Sequence, residues 1–297
     1  RHAGTRVPRV SLCPARLQPW FRGAGGRSPL PSDPGARSAV ILDPASLAVL
    51  SVVPAHEVVR IETVAEETLR SGGDATSFAR ALEDALTTAS ADAVGLKTII
   101  AYRGGFAFDP APPSEADVVE AAGRVLGGEQ VGRQRLTDPV LLRHCLWAGI
   151  RLAAERGFPI QFHVGYGDSD MTLHLTNPSL LTPLIRSTAG LGVDLLLLHC
   201  YPFQREAAYL ATVFPHVYFD VGLAINYTGP SSATVIAEAM ELAPFTKVLY
   251  SSDAFGLAEL FFLGALLFRR GLASTLDAWI RSDHCSAAEA ETVARLV

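Results

Sequence analysis

Cysteine is scarce in this chain. The four residues Cys13, Cys145, Cys200 and Cys285 are widely scattered and form no CxxC pair. Neither a zinc knuckle nor a disulfide framework is suggested, and a reduced, cytoplasmic setting fits best. There is no surplus of positive charge: 25 Lys and Arg face 30 Asp and Glu, a formal net charge of -5. That balance gives no reason to expect nucleic acid or an anionic membrane as a partner. No apolar run reaches the roughly 18 to 20 residues that a membrane span needs. Residues 257–268 are apolar but too short, and Arg269 and Arg270 end the run. The amino end carries no apolar core of a signal peptide. No GxGxxG turn follows a first strand, which argues against a dinucleotide-binding sheet.

What is present is a recurring strand ending. Residues 194–201 read Asp-Leu-Leu-Leu-Leu-His-Cys-Tyr, four leucines running into His199 before Pro202. A short apolar run between polar or breaker residues is a strand buried on both faces, as in a parallel sheet. The same grammar leads into His163, followed by Gly165 and Gly167. It recurs before Asp220, followed by Gly222, and again before Asp253. In α/β folds the carboxyl ends of such strands are where ligands and catalytic groups collect.

Around these strands the chain alternates. Residues 1–38, rich in Arg, Pro and Gly, keep no period and predict an irregular or disordered segment. From 39 onward one domain of barrel size is expected, continuing to 297. Strands are expected at 39–43, 58–62 and 93–101, with helices at 44–52, 63–90 (split near Gly72 and Gly73), 114–126 and 139–156. Ser114 is the expected N-cap of the third of these helices and Gly157 the C-cap of the fourth. Helices are also expected at 178–189, 203–213, 231–242, 256–270 and 274–281, with a last one beginning at Ser286. About seven strand–helix repeats predict parallel strands with crossover helices. The fold class is therefore α/β, a (β/α)8 TIM barrel with an irregular or incomplete first strand.

In a closed barrel the ends of different strands converge on one mouth. Two imidazoles and a carboxylate, His163, His199 and Asp253, are good ligands for a divalent metal such as zinc. A bound metal lowers the pKa of its water from about 15.7 to about 7, and Asp253 can both ligate and move the proton. A lone histidine at a strand end is more often a hydrogen-bonded core or rim residue. The combination of three such endings is what favours a site. Asp220 reads either as a carboxylate orienting a histidine or as a cap for the helix near Ser231. Lys97 lies inside a strand and faces the barrel interior, to contact substrate, to become a carbamylated bridge, or to pair with a neighbour such as Glu62. Arg103 is placed to grip a carboxylate. Arg205 and Glu206 contact substrate or pair with each other and the surface. Asp168 and Asp170 order a loop or line the mouth.

These residues resemble the amidohydrolase superfamily, most closely its amidohydrolase 2 branch and the amidohydrolase-like domain of FluG-type and nodulin-like proteins. The matching text is Gln161-Phe-His163-Val-Gly-Tyr-Gly-Asp168, Leu-Leu-His199-Cys-Tyr-Pro-Phe-Gln-Arg205-Glu206, Val-Tyr-Phe-Asp220-Val-Gly and Tyr-Ser-Ser-Asp253. The resemblance covers residues from about 58 to the end. It implies a metal-dependent hydrolase acting on C–N bonds of a small substrate, with His163, His199 and Asp253 in the positions of the fifth-, sixth- and eighth-strand ligands. The family's first strand ends in an HxH pair, and none of the eight histidines here lies two residues from another. Two ligands are therefore missing from the pattern, and a fragment or a misplaced start is expected. The other readings are a catalytically silent barrel used as a binding or regulatory module, and a decarboxylase or C–C hydrolase of the same branch. The expected partner is a small-molecule substrate, with no nucleic acid or membrane; a homo-oligomer is compatible with all of this.

Overall fold

The computed structural model describes residues 56–128, 135–254, 257 and 259–297. Six parallel strands lie side by side in chain order: β1 (Val58–Arg60), β2 (Gly95–Thr98), β3 (Ile160–Val164), β4 (Leu195–His199), β5 (Val217–Asp220) and β6 (Val248–Leu249). Among the described residues, each pairs with its neighbours in sequence. That order, with a helix after every strand, is the winding of a barrel rather than of an open sheet that reverses direction. The expected irregular segment 1–38, the strand 39–43 and the helix 44–52 lie outside the described residues.

Registers divide the strand residues into two faces. Arg60, Lys97, Gln161, Leu196 and Tyr218 are successive partners across five strands. One layer further on, His163 is level with Leu198, and Asp220 with Leu249. These residues share the inner face, where Leu196, Leu198, Tyr218 and Leu249 pack as a small separate cluster. The alternate residues, including Ile160, Phe162, Leu195, Leu197, Val217 and Phe219, belong to the large core between sheet and helices. Two apolar layers, one inside the sheet and one outside it, are what a barrel wall requires.

The helices are α1 (Ile61–Arg70), α2 (Phe78–Ala89), α3 (Glu115–Leu126), α4 (Pro139–Arg156), α5 (Thr182–Thr188), α6 (Gln204–Val213), α7 (Gly222–Thr228), α8 (Ser232–Ala239), α9 (Glu259–Arg281) and α10 (Ala287–Leu296). Several starts and stops follow the sequence signals. The Asp117 N–H donates to Ser114 Oγ at the head of α3, Gly157 closes α4 with φ 67°, and Ser286 and Glu289 form a capping box on α10. Other boundaries differ. The expected strand 58–62 stops at Arg60, and Glu62 lies in the first turn of α1. The expected strand 93–101 shrinks to four residues and ends in a 3-10 turn. The segment 178–189 begins with a 3-10 turn before α5. The helix α7 sits where a loop was expected, and two expected helices at 256–270 and 274–281 are one, α9. Between the two expected helices, Gly271 is a contact point: a Cβ there would lie 3.2 Å from the Ala233 Cα of α8.

Phe219 is fully buried on the helix side of β5, so Phe219→Ala should lower stability by about 3–5 kcal/mol. Urea unfolding followed by circular dichroism checks this, and a loss below about 1 kcal/mol would contradict the two-sided packing of the sheet.

Candidate metal and catalytic site

Strict alternation places His199 on the outer face, level with its register partner Val164. The chain corrects this at the strand end. His199 and the next residue, Cys200, both take positive φ, 72° and 54°, a left-handed conformation that costs roughly 1–2 kcal/mol per residue outside glycine. The turn is held from β5: Asp220 Oδ1 accepts the His199 N–H at 2.8 Å and the Gly222 N–H at 2.9 Å. Asp220 therefore fixes the backbone of His199 and starts α7, not the later helix near Ser231. Burial raises its carboxyl to about 6, against the two N–H donors that favour the anion.

The turned ring meets His163. The two imidazole centroids are 4.7 Å apart, and both side chains are nearly sealed from solvent, with residue exposures of 5% and 2%. His163 has a backbone hydrogen bond to Tyr166 and leaves Nε2 without a partner; His199 leaves both ring nitrogens without one. Burial pushes both pKa values well below the usual imidazole range, and for His163 the neighbouring His199 and Lys97 add to the effect. Both rings are thus neutral at physiological pH, the form that ligates metals. Asp253, itself at positive φ of 44°, brings Oδ2 to 3.8 Å from His199 Nε2. Two donors on one tetrahedral zinc stand about 3.4 Å apart, so this spacing is a few tenths of an ångström wide of a shared ion. Gly167 leaves room over the pair: a Cβ at this position would sit 2.9 Å from His163 Nε2.

These observations fit a divalent ion as far as the donors go: unpartnered buried nitrogens, the correct protonation state and an adjacent carboxylate. The set is incomplete as it stands, because no group of three or more His, Cys, Asp or Glu side chains among the described residues is arranged to hold a metal.

A family model described as amidohydrolase matches residues 53–291. The chain belongs to the amidohydrolase family. Within it the amidohydrolase 2 branch is the one matched, as the strand endings imply. The amidohydrolase chain is 30% identical over 216 residues to the FluG protein of Emericella nidulans, taking in 69% of this chain and 25% of that protein. It thus spans about a quarter of the length of that relative. A protein of Lactobacillus casei provisionally described as a metal-dependent hydrolase is 31% identical with a TM-score of 0.79, over 86% of this chain and 66% of that one. Glucuronate isomerase from Caulobacter crescentus has a TM-score of 0.60 at 15% identity, over 81% of this chain and 56% of that one, and shares the fold alone.

The other expected site residues divide. Lys97 is buried on the inner face of β2 and forms no ion pair among the described residues, Glu62 included. Burial lowers its pKa, opposed first by Asp253 and then by Asp220 and Glu62. It therefore belongs with the histidines. Arg103 is buried at the end of β2, but its guanidinium holds Glu66 at 3.0 Å, and Glu66 also accepts the Leu136 N–H. It clamps chain segments together. Arg205 lies apart, exposed on α6 and bonded to Glu241 at 2.8 and 3.0 Å and to Glu238 at 3.1 Å. Asp170 pairs with Arg135.

Tyr102 escaped the sequence reading, and Glu62, expected as a strand end and a candidate partner of Lys97, takes a different place. Tyr102 packs its ring 4.6 Å from that of His163 and accepts the Asp168 N–H at 3.4 Å; the Tyr-Arg-Gly-Gly loop signal was its only trace. Glu62 is buried, with Oε1 accepting from Thr98 Oγ1 at 2.5 Å and from the Ile99 N–H at 3.0 Å, while Oε2 is unpartnered.

Asp220→Ala strips two buried N–H groups of their acceptor and should cost about 1–3 kcal/mol for each. Asp220→Asn, which keeps an acceptor oxygen, should retain most of that; paired chemical denaturation curves check the order. For pH, the folded imidazoles refuse protons that the unfolded chain binds below about 6.5, so stability is full above that pH and is lost on acidification. Each excluded proton is worth about 1.4 kcal/mol per pH unit. Asp220 runs the other way between about pH 4 and 6, because its raised pKa makes the folded state hold a proton more tightly. Glu62, whose pKa burial also raises, runs with Asp220, while His144 and His216, lowered by burial, run with the pair, so two carboxyls against four imidazoles leave a net loss. The metal-free protein should therefore destabilise from pH 6.5 to 5, and His163→Asn with His199→Asn should make that slope shallower. An unchanged slope would contradict neutral buried rings.

Proposed function

We propose that this chain is the barrel domain of a metal-dependent hydrolase that cleaves a C–N bond in a small substrate, with His163, His199 and Asp253 holding one divalent ion, zinc by the character of the donors. The observation that carries the reading is the pair of neutral, buried imidazoles with unpartnered ring nitrogens beside a carboxylate. Bound there, the ion would supply Lewis acidity and a water ionised near neutral pH. The protein's part is to hold the two rings in one protonation state through burial, and to fix their direction through Asp220 and the Tyr166 backbone. Asp253 Oδ2 is placed to take a proton from the attacking water and return it to the leaving nitrogen. Lys97, buried and without an ion pair among the described residues, would contact an anionic group on the substrate, whose charge would favour its ammonium form against the burial that lowers its pKa. A cytoplasmic location and a small-molecule partner, rather than nucleic acid or a membrane, go with this reading; no helix among the described residues is long and apolar enough to cross a membrane.

The second reading is a silent barrel serving as a binding or regulatory module, favoured by the absence of an HxH pair from the sequence. A decarboxylase or C–C hydrolase would use the same ligands. Elemental analysis of the purified chain separates the first two. The hydrolase reading expects roughly one equivalent of zinc or a similar ion per chain, its loss in His163→Ala and His199→Ala, and metal-dependent release of amine from amide substrates. A folded, metal-free and inert protein would overturn that reading in favour of the module.

A further inference from the structure

At the start of α6 a groove of about 390 Å³ is lined by Ser179, Pro202, Gln204, Arg205, Glu206, Tyr209 and Glu238. Gln204 opens α6, directly after the His199 turn, and only 5% of it is exposed. Its amide nitrogen donates to Glu238, a carboxylate that can only accept, so the amide oxygen is the atom left over. That oxygen is buried and has no hydrogen-bond partner. A buried acceptor without a donor costs about 1–3 kcal/mol and marks a place where a donor belongs.

The surroundings say which donor. Glu206, on the same turn of α6, makes no hydrogen bond or ion pair among the described residues. Arg205, a cation lining the groove, is already bonded to Glu238 and Glu241 and also feels Glu206. Tyr209 offers a ring that is 53% exposed. A carboxylate that shares Arg205 electrostatically with Glu238 and Glu241 but bonds to nothing among the described residues, an unpartnered carbonyl oxygen and an open aromatic face together suit an alkylammonium group, whose N–H bonds satisfy the oxygens and whose methylenes lie on the ring. The volume fits a small organic molecule and is generous for a bare ion.

We propose that this groove is a binding site for a small organic amine, separate from the metal and catalytic site, with Gln204 Oε1 and the Glu206 carboxylate taking the ammonium and Tyr209 covering its chain. The site does not depend on the hydrolase reading, since His163, His199 and Asp253 are not among its lining residues.

Isothermal titration of the full chain at low ionic strength with 1,4-diaminobutane tests it, with butane-1,4-diol and magnesium chloride as the uncharged and simple-ion controls. Saturable binding of the diamine below about 1 mM is expected, with neither control competing. Glu206→Gln should weaken it about tenfold or more, and Tyr209→Leu several-fold. Both side chains reach the surface, and circular dichroism verifies that the variants fold. Absence of saturable heat, equal binding of the diol or magnesium, or indifference to both substitutions would overturn the proposal.

Discussion

One carboxylate oxygen, Asp220 Oδ1, joins two strand ends at the mouth of the barrel. It accepts the N–H of His199 from β4 and of Gly222 at the start of α7. The bond to His199 stabilises a left-handed turn that a histidine adopts only at a cost. Without that turn the ring would follow the alternation of the strand into the helix layer. With it, the ring lies beside His163, on a strand whose inner face already carries Gln161. Gly222 is tied to the same point by space as well as by its N–H: a Cβ would stand 2.7 Å from the Ser251 carbonyl oxygen. That segment leads into Asp253, so three strand ends are fixed relative to one another by local contacts among β4, β5 and β6.

The electrostatics follow from the same arrangement. The barrel interior is dry enough to keep two imidazoles neutral, to raise one carboxyl to about 6 and to lower the ammonium of Lys97. Groups whose environments perturb their pKa values in this way, neutral imidazoles beside a raised carboxyl, are those suited to ligation and proton movement. The buried polar atoms without partners are concentrated in part at this site, His163 Nε2 and both nitrogens of His199 among them. Arg103, by contrast, has found its counterion in Glu66, and Arg205 has found two, which is why neither stands with the histidines.

Much of this was legible from sequence because buried parallel strands are written as continuous apolar runs, and the residues that end them stand out. The leucines of 195–198, the strand before His163 and the inward direction of Lys97 follow from that periodicity alone. What was not legible depended on tertiary contact. No local rule announces a left-handed histidine, so the direction of His199 required Asp220 to be seen across the sheet. Two helices were expected where α9 is continuous, and Gly271 within it is small enough to let α8 approach. Glu62 passed for a strand end because its apolar neighbours suit either conformation; its burial against Thr98 decided for a helix. The Tyr102 ring gave no periodic signal at all, and its role appears only beside His163.

The central claim is that His163, His199 and Asp253 converge on one ion. Anomalous diffraction from crystals grown with zinc measures this directly. A peak about 2.0–2.2 Å from His163 Nε2, His199 Nε2 and an oxygen of Asp253 is predicted. Zinc bound elsewhere on the chain, with both imidazoles still lacking a partner, would contradict it.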